Sequence, residues 1–405
     1  MLKKKMQIQV MAKLQRKAVK LGLEKILDEQ VILLKGLRVG LVCNPASVNH
    51  QFQHAADLFY ENEQINLTTL FGPQHGIRGD VQDNMIETSH IVDSQTEIPI
   101  YSLYSETRQP TSAMLSGLDA LVFDLQDVGC RVYTFIYTMA NCMRACAEFG
   151  KKMFVLDRPN PINGIDIGGN LLELGHESFV GMYPIPMRHG LTVGELAKFF
   201  NTDFELYCEL EVITMDNWSR EDFYDDTDAP WAMPSPNMPT VDTSVVFPAT
   251  VYLEGTQVSE GRGTTRPFEI VGANYINALE LADALTSLEL PGVIFRPINF
   301  LPTFQKFANE SCSGVFLHVT DRKAFEPVIT GLAIVKTIFD LYPNDFKWKN
   351  PPYEYVYDRN PFDVIAGTTK IREFFEQGKQ IKEIKDSWQT DVEQFYKTRE
   401  KYLLY

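Results

Sequence analysis

The residues able to do chemistry gather in four short loops. FGPQHGIRGDVQDN, residues 71–84, follows an apolar run (Ile65, Leu67, Leu70, Phe71) and crowds Gln74, His75, Arg78, Asp80 and Asp83 between glycines. The second loop is Asp124-Leu125-Gln126-Asp127-Val128-Gly129-Cys130-Arg131, leading on to Tyr133. The third is Asp157-Arg158-Pro159-Asn160-Pro161-Ile162-Asn163-Gly164. The fourth runs from Glu254-Gly255-Thr256 through Glu260, Gly261 and Arg262 to Arg266. Carboxylates beside arginines, amides and aromatics are the contents of a sugar site: hydrogen-bonding groups read hydroxyls, rings stack on the sugar, and a carboxyl pair handles protons. A single Arg–Asp pair reads as a loop pin. Four loops of one grammar read as a site.

Elements that end side by side must position these loops. Residues 37 to 230 alternate apolar runs with helical patterns, which predicts an α/β fold on a mostly parallel sheet. Strands are expected at Leu37–Cys43, Ile65–Phe71, Pro99–Tyr104, Asp119–Leu125, Lys152–Leu156 and Glu205–Met215. DALVFDL is apolar enough to be buried on both faces. Helices are expected at His54–Asn62, at Val132–Phe149 before Gly150, and at Thr192–Asn201, where Thr192 and Glu195 form a capping box. Loops beyond the carboxyl ends of such strands are where open α/β sheets bind ligands.

Residues 217 to 240 turn acidic and then Pro-rich (EDFYDDTD, PSPNMP). This shift divides the chain into a basic amphipathic extension over 1–30, an α/β domain over 31–230 and a smaller α/β (α+β) domain over 231–405. The extension reads as a surface helix over residues 3–28. The smaller domain is expected to hold a strand at 245–253, a helix from Asn277 to Leu288, strands near 293–297 and 314–320, and a helix near 327–341.

Several function classes are excluded. A formal charge of −15 argues against a nucleic-acid or anionic-membrane surface, both of which need clustered cations. In GRGTTRP the glycines lead to Pro267 rather than directly to a helix start, and neither GxGxxG nor GxxxxGK occurs, so no nucleotide cofactor is expected. G-x-S-x-G is absent. His75 and His189 are isolated, without metal-ligand spacing, and read as orienting groups. Six scattered cysteines without Cys-x-x-Cys read as buried thiols of a reducing compartment. With neither a secretory leader nor a membrane-length apolar run, a cytoplasmic protein is expected, and a periplasmic or secreted one if the true start differs.

FGPQHGIRGD, LVFDLQDVGCRVYTF, VLDRPNPING, YPIPMRHGLTVGELAKFFN, PSPNMPT and LEGTQVSEGRGTTRPFE resemble the family once known only as domain of unknown function 1343. Its characterised members are exo-acting β-N-acetylmuramidases, glycoside hydrolase family 171, and the resemblance runs from about Val39 to the terminal YLLY. It implies a Rossmann-like sheet domain followed by a smaller α/β domain, with the active site in the cleft between them. It also implies a small carbohydrate substrate, a muropeptide or amino-sugar disaccharide, and no cofactor.

On that footing Asp124 and Asp127 are the expected acid/base or acetamide-orienting pair, with Glu260 as a third carboxylate. Arg78, Arg131, Arg158 or Arg262 would hold the lactyl carboxylate, and Gln126 or Gln74 would serve as an amide. Asp80, Tyr133, Asp157, Asn160, Asn163, His189, Asn237, Glu254 and Arg266 complete the expected substrate contacts. One departure stands out. Many members have Gly/Ser-Pro-Glu-His-Gly where this chain has Gly72-Pro73-Gln74-His75-Gly76. An amide cannot protonate a leaving oxygen. A binding protein that has lost turnover is therefore the alternative.

Overall fold

The structure, a computed structural model, describes residues 18–79, 81, 85–93 and 96–405. Asp80, Asp83 and most of the expected N-terminal helix lie outside them.

The six strands expected across residues 37–230 all form: β1 (Arg38–Cys43), β2 (Asn66–Gly72), β4 (Pro99–Ser102), β5 (Ala120–Asp124), β6 (Lys152–Leu156) and β9 (Glu209–Ile213). With β3 (Ile91–Val92) they make a seven-stranded sheet of order β3-β4-β2-β1-β5-β6-β9, parallel except for β3 against β4. The chain winds outward from β1 through β2 to β4, then returns to β5 on the other side. The strand order thus reverses between β1 and β5, and a crevice opens beyond their carboxyl ends. Every residue of β5 is buried, as an unbroken apolar run between two helical layers requires. Thr192 caps the Val193–Asp203 helix by accepting from the Glu195 main chain, and Glu195 returns the bond.

Two short strands, β7 (Gly168–Leu171) and β8 (Pro186–Arg188), pair as a separate ribbon. Of the helix expected over residues 3–28, the described residues form only Gly22–Asp28, after an extended segment in which Lys20 bridges to Asp216, and this helix is not a surface element. Leu23 and Ile26 are buried, and Gly22 approaches the sheet so closely that a Cβ there would lie 2.4 Å from the Asp157 nitrogen.

The C-terminal half carries its own antiparallel sheet, β10 (Ile270–Ala273), β12 (Cys312–Val319) and β11 (Val293–Phe300), in that order. It packs against the helix Ala278–Thr286, which in turn packs on the helix Pro327–Leu341. The strand expected at 245–253 is instead a helix, Val241–Thr250, running into a 3-10 turn at Val251–Gly255. The cause is burial on all sides. Residues 243–250 are all buried, so the helix shows no polar stripe and its Val- and Phe-rich run imitates a core strand.

One hydrophobic core runs through both halves. Arg131, fully buried, ties them together by donating to the carbonyls of Asn170 and Ile185 on one side and Ile365 and Ala366 on the other. Among the described residues no helix is long and apolar enough to cross a membrane.

Candidate active site

A cavity lies at the seam between the halves. Gln74 and His75 enter it from the turn after β2, and Tyr133 and Thr134 from the segment after β5. Ser235 and Asn237 come from the Pro-rich crossing, and Glu254, Arg262, Tyr353 and Glu354 from the C-terminal half.

The turn after β2 is tight. A Cβ on Gly72 would lie 2.7 Å from the Ile77 nitrogen, and His75 sits in the left-handed region at φ 71°. Its Nδ1 is 2.7 Å from the Val81 carbonyl. A carbonyl only accepts, so Nδ1 holds the proton and Nε2 is the acceptor of the neutral ring.

Gln74 has its amide committed on both sides. Nε2 donates to the Tyr104 hydroxyl at 3.2 Å and to Glu354 Oε1 at 3.1 Å, while Oε1 accepts from Thr134 at 2.6 Å. The Tyr104 hydroxyl accepts from the Met85 main chain and donates to Glu354 Oε2 at 2.7 Å. Both Glu354 oxygens therefore accept, which favours the ionised carboxylate. Burial, then the Glu354 charge, pushes the Tyr104 phenol far above its ordinary value, so it remains a donor. Glu354 is itself held at φ 45°, a backbone conformation that side-chain-bearing residues adopt only where their surroundings enforce it.

Opposite stands a second carboxylate. Glu254 Oε1 accepts from Arg262 Nη2 at 2.7 Å and Nε at 3.2 Å, and Oε2 accepts from Tyr353 at 2.6 Å. Burial alone would raise its pKa; Arg262 and Tyr353 outweigh that and leave it below the usual carboxylate value. Arg262 also faces Glu260 at 3.4 Å and lies over the Phe268 ring. Its Nη1 is buried without a hydrogen-bond partner.

Against known proteins, residues 39–242 match the family model for the N-terminal part of the exo-β-N-acetylmuramidase NamZ, and residues 245–405 match the one for its C-terminal part. The chain belongs to the NamZ family. It is 49% identical over 387 residues to the peptidoglycan β-N-acetylmuramidase NamZ of Bacillus subtilis (strain 168), covering 96% of this chain and 91% of that one. Two solved structures of DUF1343 family proteins from Bacteroides fragilis NCTC 9343 have the same fold. One has a TM-score of 0.87 at 37% identity, covering 96% of this chain and 100% of that one. The other has a TM-score of 0.75 at 31% identity, covering 96% and 99%.

In this NamZ-family chain the cavity brings together six of the expected site residues: Gln74, His75, Tyr133, Asn237, Glu254 and Arg262. Others are spent on structure. Asp124 and Arg158, both fully buried, close on each other bidentately at 2.5 and 2.8 Å, and Arg158 also donates to the Val48 carbonyl. That pair fills the crevice between β1 and β5 rather than facing the cavity. Asp127 accepts from the Gly129 main chain at 2.7 Å and lies 3.3 Å from His189, so both brace the second loop. Gln126 bonds the carbonyls of Asp127 and Pro159. Arg131 is the tie already described, its two terminal nitrogens bonded to four carbonyls while Nε has no partner.

Asp157 is buried among Thr192, Gly194 and Tyr405. Asn160 bonds the Leu191 carbonyl, and Asn163 holds the Ile165–Asp166 turn. Glu260 sits behind Arg262, bonded to Lys306 at 2.7 Å. Arg266 pairs with Glu269, and the exposed Arg78 borders a different recess. Conversely, Tyr353 and Glu354 were not among the expected residues. PPYEYVYD shows the same mixture of proline, aromatics and a carboxylate as the four loops, and that was the available signal.

Proposed function

We propose that this chain is an exo-β-N-acetylmuramidase that releases a terminal β-linked N-acetylmuramic acid from peptidoglycan fragments. What carries the reading is its 49% identity, across 96% of the chain, to a protein named for that activity. The cavity suits such chemistry. Glycoside cleavage passes through an oxocarbenium-like transition state, and two ionised carboxylates, Glu254 and Glu354, stand beside it to stabilise positive charge. Arg262, with Nη1 unpartnered, is assigned to the lactyl carboxylate that distinguishes muramic acid from glucosamine. Ser235 and Asn237 are assigned to the acetamide.

Gln74 cannot carry the proton. Because the oxygens of Glu254 and Glu354 are all taken up as acceptors, we assign proton delivery to the protonated ring of His75, which lines the same cavity. The silent binding protein is not favoured beside so close an enzymatic relative. We place the activity inside the cell on recycled fragments, since all six cysteines are free and buried. Fractionation against a periplasmic marker tests that placement.

The deciding experiment compares 4-nitrophenyl β-N-acetylmuramide, the matching glucosaminide and a natural muramyl disaccharide. Release from the muramide only, lost in Glu254→Gln, supports the reading. Intact substrates across pH 5 to 8, with muramic acid still bound, would return the choice to the binding protein.

A further inference from the structure

Residues 353–356 form a tight reverse turn. Its ends bond each other twice, Tyr353 N–H to the Val356 carbonyl at 3.1 Å and Val356 N–H to the Tyr353 carbonyl at 2.9 Å. The two central residues, Glu354 and Tyr355, have φ of 45° and 65°. A turn with positive φ at both positions favours Asn-Gly, and two bulky side chains persist there only where their surroundings hold them. Two of those holds belong to the cavity. Tyr353 donates to Glu254, and Glu354 accepts from Gln74 and Tyr104, so one turn sets both carboxylates.

Tyr355 is held differently. Its hydroxyl is buried without a hydrogen-bond partner among the described residues, and its ring lies against Arg108. The guanidinium carbon is 4.5 Å from the Tyr355 ring centroid, 4.0 Å from that of Tyr104 and 5.8 Å from that of Phe179. Tyr104 meets Tyr355 edge-on at 6.1 Å and Phe179 at 5.8 Å, so the three rings box the cation. A guanidinium between ring faces is attracted to each by its quadrupole, most strongly where water is excluded. Arg108 is itself anchored in the N-terminal half. Its Nη1 donates to the Ser105 carbonyl, and Asn141, on the helix Phe135–Glu148, donates to the Arg108 carbonyl at 3.1 Å.

We infer that Arg108 is a positioning residue: by clamping Tyr355 of the C-terminal half against Tyr104 of the N-terminal half, it holds the strained turn that sets Glu354 and Glu254 at the cavity. Arg108 does not line the cavity, and it acts on the reaction only through that turn. The inference rests on the proposed activity.

Steady-state kinetics on the nitrophenyl muramide, beside hydrogen–deuterium exchange of residues 351–358, tests it. Arg108→Met keeps the length of the side chain and removes its charge. It lowers kcat by about tenfold and moves KM by less than about threefold, since Arg262 still holds the sugar. Arg108→Lys, which keeps a cation over the rings, recovers part of kcat. Exchange over 351–358 speeds several-fold in Arg108→Met, while residues 120–124 in β5 keep their protection. Tyr355→Leu gives the same two changes, and the double variant is no worse than either single one. Unaltered exchange of the turn, an unaltered kcat, a loss confined to KM, or equal loosening of β5 overturns the inference. A wild type that releases no chromophore sinks the proposed activity instead, and the exchange arm still shows whether Arg108 holds the turn.

Discussion

Gln74 Nε2 lies 3.1 Å from Glu354 Oε1, with Tyr104 donating to the other oxygen of the same carboxylate at 2.7 Å. A glutamate at position 74 would place two carboxyls in that contact. Like charges so close cannot both ionise, and the pair would hold one proton at neutral pH. Gln74→Glu therefore adds a proton donor beside His75, and is expected to speed cleavage of a muramyl disaccharide and to add an alkaline limb to the pH profile, where the shared proton is lost. The nitrophenyl muramide should respond little, because its leaving group departs with less help from an acid. Glu354→Gln in that background should erase the gain. A Gln74→Glu enzyme with an unchanged disaccharide rate would show that position 74 does not serve the proton.

Arg262 holds Glu254 with Nε and Nη2 and has Nη1 to spare. Arg262→Lys keeps a charge but loses the planar fork, so Glu254 and the lactyl carboxylate cannot both be served. The expected result is a rise in KM for the muramide of about tenfold or more, near 1.4 kcal/mol, with a smaller change in kcat. Steady-state kinetics on the muramide checks it. A change confined to kcat would place Arg262 with the reacting bond instead.

The sheet and the Thr192–Glu195 cap were legible because they are written locally, in apolar runs and in a spacing of three residues. The Val241–Thr250 helix was not, since burial all round removes the stripe that marks a helix. Part of the candidate cavity was legible. Gln74, Glu254 and Arg262 belong to recognisable loops. But a carboxylate that lines a cavity and one that pins a loop look alike in sequence. Asp124 differs from Glu254 because Arg158 closes on both its oxygens inside the core. Glu354 meets Gln74 across 280 residues, a contact that no local pattern announces.

Asp157 is fully buried, and burial brings its carboxyl up to about 7 despite donors from Tyr405, Gly194 and Thr192. The folded protein thus retains a proton that the unfolded chain releases near pH 4. Stability from this group is complete below about pH 4 and falls as pH rises toward 7, by about 4 kcal/mol. Urea midpoints measured from pH 4 to 8 should show that decline, flattened in Asp157→Asn. Parallel curves for the two proteins would mean that Asp157 is ionised throughout.

Among the described residues Arg131 makes no contact with a carboxylate, yet it is fully buried and its charge is spread over four main-chain carbonyls from the two halves. Burial lowers its pKa, which remains that of an arginine and keeps it charged at neutral pH. Arg131→Leu would fill much of the volume but leave those carbonyls without a donor, each costing about 1–3 kcal/mol less whatever water can reach. A loss of roughly 3–5 kcal/mol is expected, the range for breaking a buried charged network. Because the carbonyls belong to both halves, the loss should also loosen the seam, and urea unfolding followed by tryptophan fluorescence should broaden or split. Arg131→Lys, which reaches fewer carbonyls, should fall between. If Arg131→Leu unfolds within 1 kcal/mol of the wild type, in one sharp transition, the shared core alone holds the halves together and Arg131 is dispensable to the seam.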